Sequence, residues 1–297
     1  MNNINETLHG VGAALVTPFN ADGSIDYRSL GGLIDYVIGN GVNYIVTLGT
    51  TAETPTLLIE EHVDISRFVD ERVAGRVPVV VGVGSNSTAE VIEQLSRVDL
   101  SHATAILSIT PYYNKPTQRG LYEHFRVVAG ASPLPVILYN VPGRTGVNML
   151  PETTLRLARE VPNIVGIKEA SGNIGQIEQL LVGRPDGFMV ISGDDSMALP
   201  LIRRGGDGVI SVAADVFTAS FMRAVNAAFA GDWMTAEAEY ARMDEAIEAL
   251  FAEGNPVGVK TALSIKGLVE PNFRLPLVPA SDELTERLRM LIERNGI

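Results

Sequence analysis

The chain has 297 residues, 46% of them hydrophobic, with no cysteine and a formal net charge of −12. That content can bury a large core in one big domain or two. The acidic balance argues against nucleic acid or an anionic membrane surface as a partner, and the lack of cysteine rules out disulfides and thiol catalysis.

The first ten residues, MNNINETLHG, carry neither a basic region nor an apolar run, so no signal peptide is expected. The apolar runs are strand-length, too short to cross a bilayer, and a soluble cytoplasmic protein is the expectation. β-rich apolar runs fall at 11–16, 44–48, 77–83, 105–109, 136–139, 164–167, 188–191 and 208–212. Between them lie stretches of helical period. Leu30, Leu33, Ile34, Val37 and Ile38 share one stripe of 27–38, and Val91, Ile92 and Leu95 share one of 88–98. Ser87-Thr88 ahead of Glu90, and Pro151 ahead of Glu152 and Leu155, mark helix starts.

Strand and helix alternating in this way predict an α/β fold, a (β/α)8 TIM barrel, whose usual size is ~250 residues. The competitor is an open doubly wound sheet. Its dinucleotide fingerprint GxGxxG is missing after the first run, where the chain reads TPFNADG over 17–23. The strand signal stops near Gly231. One helix is predicted over 233–251, a second over 256–268 and a third over 281–295, capped by Ser281, with Asp282 and Glu283 in its first turn. The division expected is therefore a catalytic barrel, 1–230, and a C-terminal helical extension, 231–297.

The central stretch is NIVGIKEASG, 163–172. A buried strand ends in Lys168, with an apolar floor beneath it and a loop mouth above. Burial disfavours the ammonium form, which is how an amine becomes a nucleophile for Schiff-base chemistry. Read alone, such a lysine is more often simply solvated. A barrel's active site sits at the carboxyl ends of its strands, so the loops there matter. GTTAET sets Thr50 and Thr51 beside backbone amides, a carboxylate site or an ordinary polar turn. TPYYNKP holds Tyr112 and Tyr113 between prolines, able to relay protons or to cover apolar surface. YNVPGRTG puts Tyr139 at the mouth and Arg144 on a Pro-Gly turn, where it can fork onto a carboxylate or form a loop salt bridge. Asp194 and Asp195 in SGDD read as N-terminal dipole partners of the next helix, and GGDG at 205–208 as a turn. His9, His62, His102 and His124 show no ligand spacing, so no metal site is expected, and an imine-forming lysine requires no cofactor.

Taken in order, GTTAET, TPYYNKP, LYNVPGRTG, GIKEASG, SGDD and GVISV resemble the dihydrodipicolinate synthase family of pyruvate-dependent lyases, over nearly the whole chain. The resemblance implies that Lys168 forms an imine with pyruvate. It implies that Tyr139 shuttles protons and that Thr51 links it to Tyr113, which in the family is lent by the neighbouring subunit of a homotetramer, a dimer of dimers. It further implies that Thr50 and Thr51 hold the pyruvate carboxylate, that Arg144 holds the carboxylate of L-aspartate 4-semialdehyde, and that Gly193 and Ile210 line the pocket. Asn86, Glu90, Tyr112 and His62 match an interface site at which some members bind inhibitory lysine. The chain departs from that pattern at Ile59, where a histidine is frequent, and at Pro55, which replaces a small residue. Ala52 stands where glycine is usual, and its methyl group disfavours a positive φ while leaving activity intact. Two alternatives remain beside a synthase in diaminopimelate and lysine biosynthesis. One is an N-acetylneuraminate or 2-keto-3-deoxy-sugar-acid aldolase using the same lysine; the other is a non-catalytic metabolite-binding barrel.

Overall fold

A computed structural model describes residues 4–296. Eight parallel strands close into a barrel in sequence order: β1 (Gly10–Ala14), β2 (Tyr44–Thr47), β3 (Val79–Gly82), β4 (Ala105–Ile109), β5 (Val136–Asn140), β6 (Ile164–Glu169), β7 (Met189–Ser192) and β8 (Gly208–Ser211). Strand β1 pairs with β2 on one side and β8 on the other, leaving no free edge. The (β/α)8 expectation is met. Around the strands run α1 (Tyr27–Gly39), α2 (Ile59–Val73), α3 (Thr88–Arg97), α4 (Gln118–Ala131), α5 (Pro151–Glu160), α6 (Ile174–Gly183), α7 (Ala198–Arg203) and α8 (Thr218–Phe229).

The helices start where their caps dictate. The Asp26 carboxylate accepts from the Ser29 amide, the Ser87 hydroxyl from that of Glu90, and Asn173 from that of Gln176. Pro151 opens α5, where its missing N–H leaves no helical bond unmade. In α1 the stripe read from the sequence is the buried one, Leu30, Leu33, Ile34 and Val37.

Side chains alternate along the strands and separate two cores. Outward-facing residues such as Val11, Ile45, Val81, Leu138 and Val190 pack under the helices. Inward-facing residues, including Tyr44, Val46, Val80, Leu107, Ile137, Met189, Ile191 and Ile210, fill the barrel. Each such side chain, fully buried, contributes roughly 1.5–3 kcal/mol relative to exposure. Tyr44 is the largest interior plug. Its ring fits because Gly12 faces it; a Cβ at 12 would stand 2.2 Å from a ring carbon.

Beyond the barrel lie α9 (Trp233–Ala241), α10 (Asp244–Phe251), α11 (Val257–Ile265) and α12 (Asp282–Asn295). The single helix expected over 233–251 is broken. Met243 turns inward and is fully buried, and its amide bonds the Tyr240 carbonyl three residues back, so helix direction changes there. Ser281 caps α12 as read, its hydroxyl accepting from the Leu284 amide. One continuous core joins the barrel helices to Leu250, Val259, Leu263 and Leu288 of this segment. No helix among the described residues is long and apolar enough to cross a membrane.

Candidate active site

The register of β5 against β6 sets Tyr139 beside Lys168, with both side chains turned into the barrel mouth. Each is 6% exposed, and the Lys168 Nζ lies 4.3 Å from the centroid of the Tyr139 ring. The next residues along both strands, Asn140 and Glu169, point outward and fix the strand ends. The buried Glu169 carboxylate accepts from Asn140 Nδ2 at 3.1 Å, Gln176 Nε2 at 2.9 Å and the Ser171 amide at 2.7 Å. This polar knot holds the alternation that turns Tyr139 and Lys168 inward.

Room for the lysine stem comes from the residue just after β7. A Cβ at Gly193 would lie 3.0 Å from both Cγ and Cε of Lys168 and 2.7 Å from the Ala170 Cβ. Gly193 is therefore the residue that lets Lys168 pass. Above it opens a cavity of about 490 Å³, lined by Thr50, Thr51, Tyr139, Arg144, Lys168 and Gly193, with Asp194, Asp244 and Asn255 among its other walls. The Thr50–Ala52 turn belongs to it. Ala52 is buried at 2%, and its carbonyl accepts from the Thr17 hydroxyl at 2.8 Å. The positive φ of this loop falls on Glu53, at 55°, so the Ala52 methyl meets no backbone strain.

Sequence reasoning did not single out Asn255. Its Nδ2 donates to Thr51 Oγ1 at 2.9 Å, and its carbonyl accepts from Arg144 Nη2 at 3.2 Å. The signal lay in EGNPVGVK, which carries a polar residue ahead of a proline at a loop end. Asp195 corrects another expectation. Asp194 does cap, accepting from the Ser196 amide at 2.9 Å, but Asp195 is fully buried and accepts from the Val212 and Ala213 amides, tying the β7 loop to the β8 loop. Burial pushes its carboxyl up to about 6, against the pull of the Ser211 hydroxyl and those amides.

The remaining candidates lie elsewhere. Ile210 belongs to the apolar cluster inside the barrel, with Tyr139. Tyr113 is 88% exposed at φ 72° and does not line the cavity of its own chain. His62, Glu90 and Tyr112 line a second cavity of about 400 Å³, which shares Thr50, Tyr139 and Arg144 with the first. Pro55 is on its wall. Asn86 sits outside it, its carbonyl accepting from Asn114 Nδ2 at 2.9 Å. Burial holds the His62 imidazole below its ordinary range, and Glu90 accepts from the Ser85 hydroxyl at 2.6 Å.

A parallel barrel with an amine, a phenol, two hydroxyls and a guanidinium gathered at the carboxyl-end mouth defines the class of (β/α)8 enzymes able to work on small carboxylates. Residues 7–295 match the model of the dihydrodipicolinate synthetase family, and the chain belongs to that family. It is 49% identical over 290 residues to a 4-hydroxy-tetrahydrodipicolinate synthase of Parabacteroides distasonis, with 98% of each chain covered. Identity to one from Azobacteroides pseudotrichonymphae is 51% over 282 residues, 95% of each. Among solved structures it is similar to the chloride-inhibited dihydrodipicolinate synthase of Acinetobacter baumannii complexed with pyruvate. That match has a TM-score of 0.95 and 42% identity, and covers 98% of this chain and all of the other.

Proposed function

We propose that the chain condenses pyruvate with L-aspartate 4-semialdehyde through an imine on Lys168, in the diaminopimelate branch of lysine biosynthesis. The activity is that of a 4-hydroxy-tetrahydrodipicolinate synthase, a lyase, as in the relatives of the same family. The observation that carries the site assignment is the buried Lys168–Tyr139 pair at the floor of a cavity with Arg144 on its wall.

Each residue then has one task. Lys168 Nζ attacks the pyruvate keto carbon and water leaves, giving the imine. A methyl proton is lost to form the enamine, whose carbon attacks the aldehyde. The semialdehyde's own amine then closes the ring and displaces Lys168. Tyr139 moves protons at the nitrogen, with Thr51 as its link to Tyr113. Thr50 and Thr51 hold the pyruvate carboxylate, Arg144 forks onto that of the semialdehyde, Gly193 clears the lysine's path, and Ile210 backs the pocket from below. The barrel, 1–230, carries the imine chemistry and the extension, 231–297, supplies the outer wall through Asn255.

A sugar-acid aldolase would want several hydroxyl-binding side chains after β5 and β6, where this chain offers Arg144 and short residues, which favours a compact charged aldehyde. A homotetramer, a dimer of dimers, fits a Tyr113 that protrudes from its own chain. We place the reaction in the cytoplasm, which the cysteine-free sequence suits. Lysine inhibition at the second cavity, through His62, Glu90, Tyr112 and Asn86, completes the reading; activity unchanged at millimolar lysine would remove that part.

The test is pyruvate consumption with the semialdehyde and, separately, with N-acetylmannosamine, together with borohydride trapping. Lys168→Ala is expected to lose both trapping and turnover. Arg144→Ala is expected to keep trapping and raise the semialdehyde requirement by about tenfold or more, the scale of a lost charge-assisted contact. Turnover with the sugar alone moves the chain to the aldolase branch, and an Arg144→Ala variant that cannot bind pyruvate overturns the role given to Arg144.

A further inference from the structure

Beside the cavity, behind the Thr50–Thr51 turn, lies a pair of opposite charges with no accessible surface. The Lys260 Nζ stands 2.5 Å from Glu53 Oε1, and both side chains are 0% exposed. Taking two ions out of water costs about as much as their attraction contributes, and well-packed apolar residues often serve stability as well or better. The pair calls for another reason.

Its position supplies one. Glu53 joins two tight turns, Thr50–Ala52 and Thr54–Thr56, in the left-handed backbone region that side chains other than glycine's disfavour. Its carboxylate accepts from Lys260 and, through Oε2, from the Arg274 amide at 3.2 Å. Lys260 is itself held fast. It donates to the Asn272 carbonyl at 2.8 Å and lies 4.3 and 4.9 Å from the ring centroids of Phe19 and Phe273. Asn255, just ahead of α11, grips the other side of the same turn through Thr51 Oγ1 at 2.9 Å. One C-terminal segment therefore clamps the loop on both sides of Ala52.

We propose that Glu53 and Lys260 are positioning residues for pyruvate: their ion pair holds the Thr50–Thr51 turn where its hydroxyls meet the substrate carboxylate. This rests on the site reading given above. The pair touches no substrate. It acts through the turn, so its loss weakens pyruvate capture ahead of the chemical step.

The experiment compares native protein, Lys260→Met and the charge-free double variant Glu53→Gln/Lys260→Met, each assayed below its own melting transition. Lys260→Met strands a buried carboxylate and is expected to melt roughly ten degrees lower, with the double variant recovering much of that. Both variants are expected to need about tenfold or more pyruvate for half-maximal rate, because a displacement on the order of 1 Å in a binding group has effects of this size or larger. Borohydride trapping on Lys168 should be slow at low pyruvate and near native at saturation. A folded double variant with native pyruvate KM would make the pair purely structural and overturn the proposal. If native protein itself is not trapped on Lys168, the site reading fails first, and the positioning role falls with it.

Discussion

Asp215 shows how one side chain can oppose the fold that holds it. It is fully buried in the one-turn helix Ala213–Val216, and neither carboxyl oxygen has a hydrogen-bond partner. Burial and the neighbouring Asp195 push it well above the ordinary carboxylate range, and the nearby Val16 amide pulls more weakly the other way. For a carboxyl raised on folding, the native protein binds more protons than the unfolded chain. Its stabilising contribution is complete below about pH 4 and is lost as pH rises through the native value. Asp195, raised to about 6, loses its own share between about pH 4 and 6. Asp215→Asn keeps the shape without the charge, and is expected to stabilise at pH 7. Each pH unit by which folding raises the carboxyl costs about 1.4 kcal/mol at pH values above the native one, and Asn does not titrate. At pH 4 the gain should shrink towards nothing. Urea unfolding at both pH values checks this; equal gains would mean that Asp215 does not titrate with folding. His124 works in the opposite direction. Burial lowers its imidazole to about 4, so its contribution is present above about pH 6.5 and is lost as pH falls through 4.

At the scale of the element, three neighbouring strands, β5, β6 and β7, together place one buried amine. Tyr139 comes from the first, Lys168 from the second, and the missing side chain of Gly193 from just beyond the third. Gly193→Ala brings no backbone strain, since φ there is not positive, so its effect comes from crowding, of the Lys168 stem and of the Ala170 Cβ. Imine formation with pyruvate is expected to slow by on the order of a hundredfold, with a lower melting temperature because the Ala170 Cβ must give way. Trapping at the native rate would show that Lys168 has an alternative path into the cavity. This arrangement was largely legible beforehand. Apolar runs ending in Tyr139 and Lys168 announce strand ends, and in a barrel strand ends announce the site. What could not be read were contacts between distant stretches. Nothing near Thr51 in sequence points to Asn255, and Asp195 looks like its capping neighbour until β8 arrives beside it. The break at Met243 was hidden for a similar reason. Helical propensity runs through 233–251 without interruption, and only the core that receives Met243 decides where the chain turns.

At the scale of the whole molecule, Tyr113 gives a direct test of the proposed assembly. Its side chain is 88% exposed, at positive φ, in a loop between prolines. If it completes a neighbour's site, two defects placed on different chains should complement. Co-expressed Lys168→Ala and Tyr113→Phe chains would form mixed assemblies in which one site has both native groups, and activity should rise well above that of either variant alone. Activity no higher than the sum of the parents places Tyr113 outside the neighbour's chemistry.

The clamp on the Thr50–Thr51 turn also bears on the order of events in the life of each molecule. The Asn255–Thr51 and Lys260–Glu53 contacts join residues 204 and 207 positions apart, so the pocket wall first laid down by the ribosome waits for nearly the last. Closures across such spans come late in folding. All eight barrel strands precede Asn255, so a nascent chain can have every strand synthesised and still hold Lys168 under an unfinished roof. If the clamp sets pyruvate capture as proposed, a copy lacking the segment around Asn255 and Lys260 would carry Lys168 and yet meet its substrate poorly.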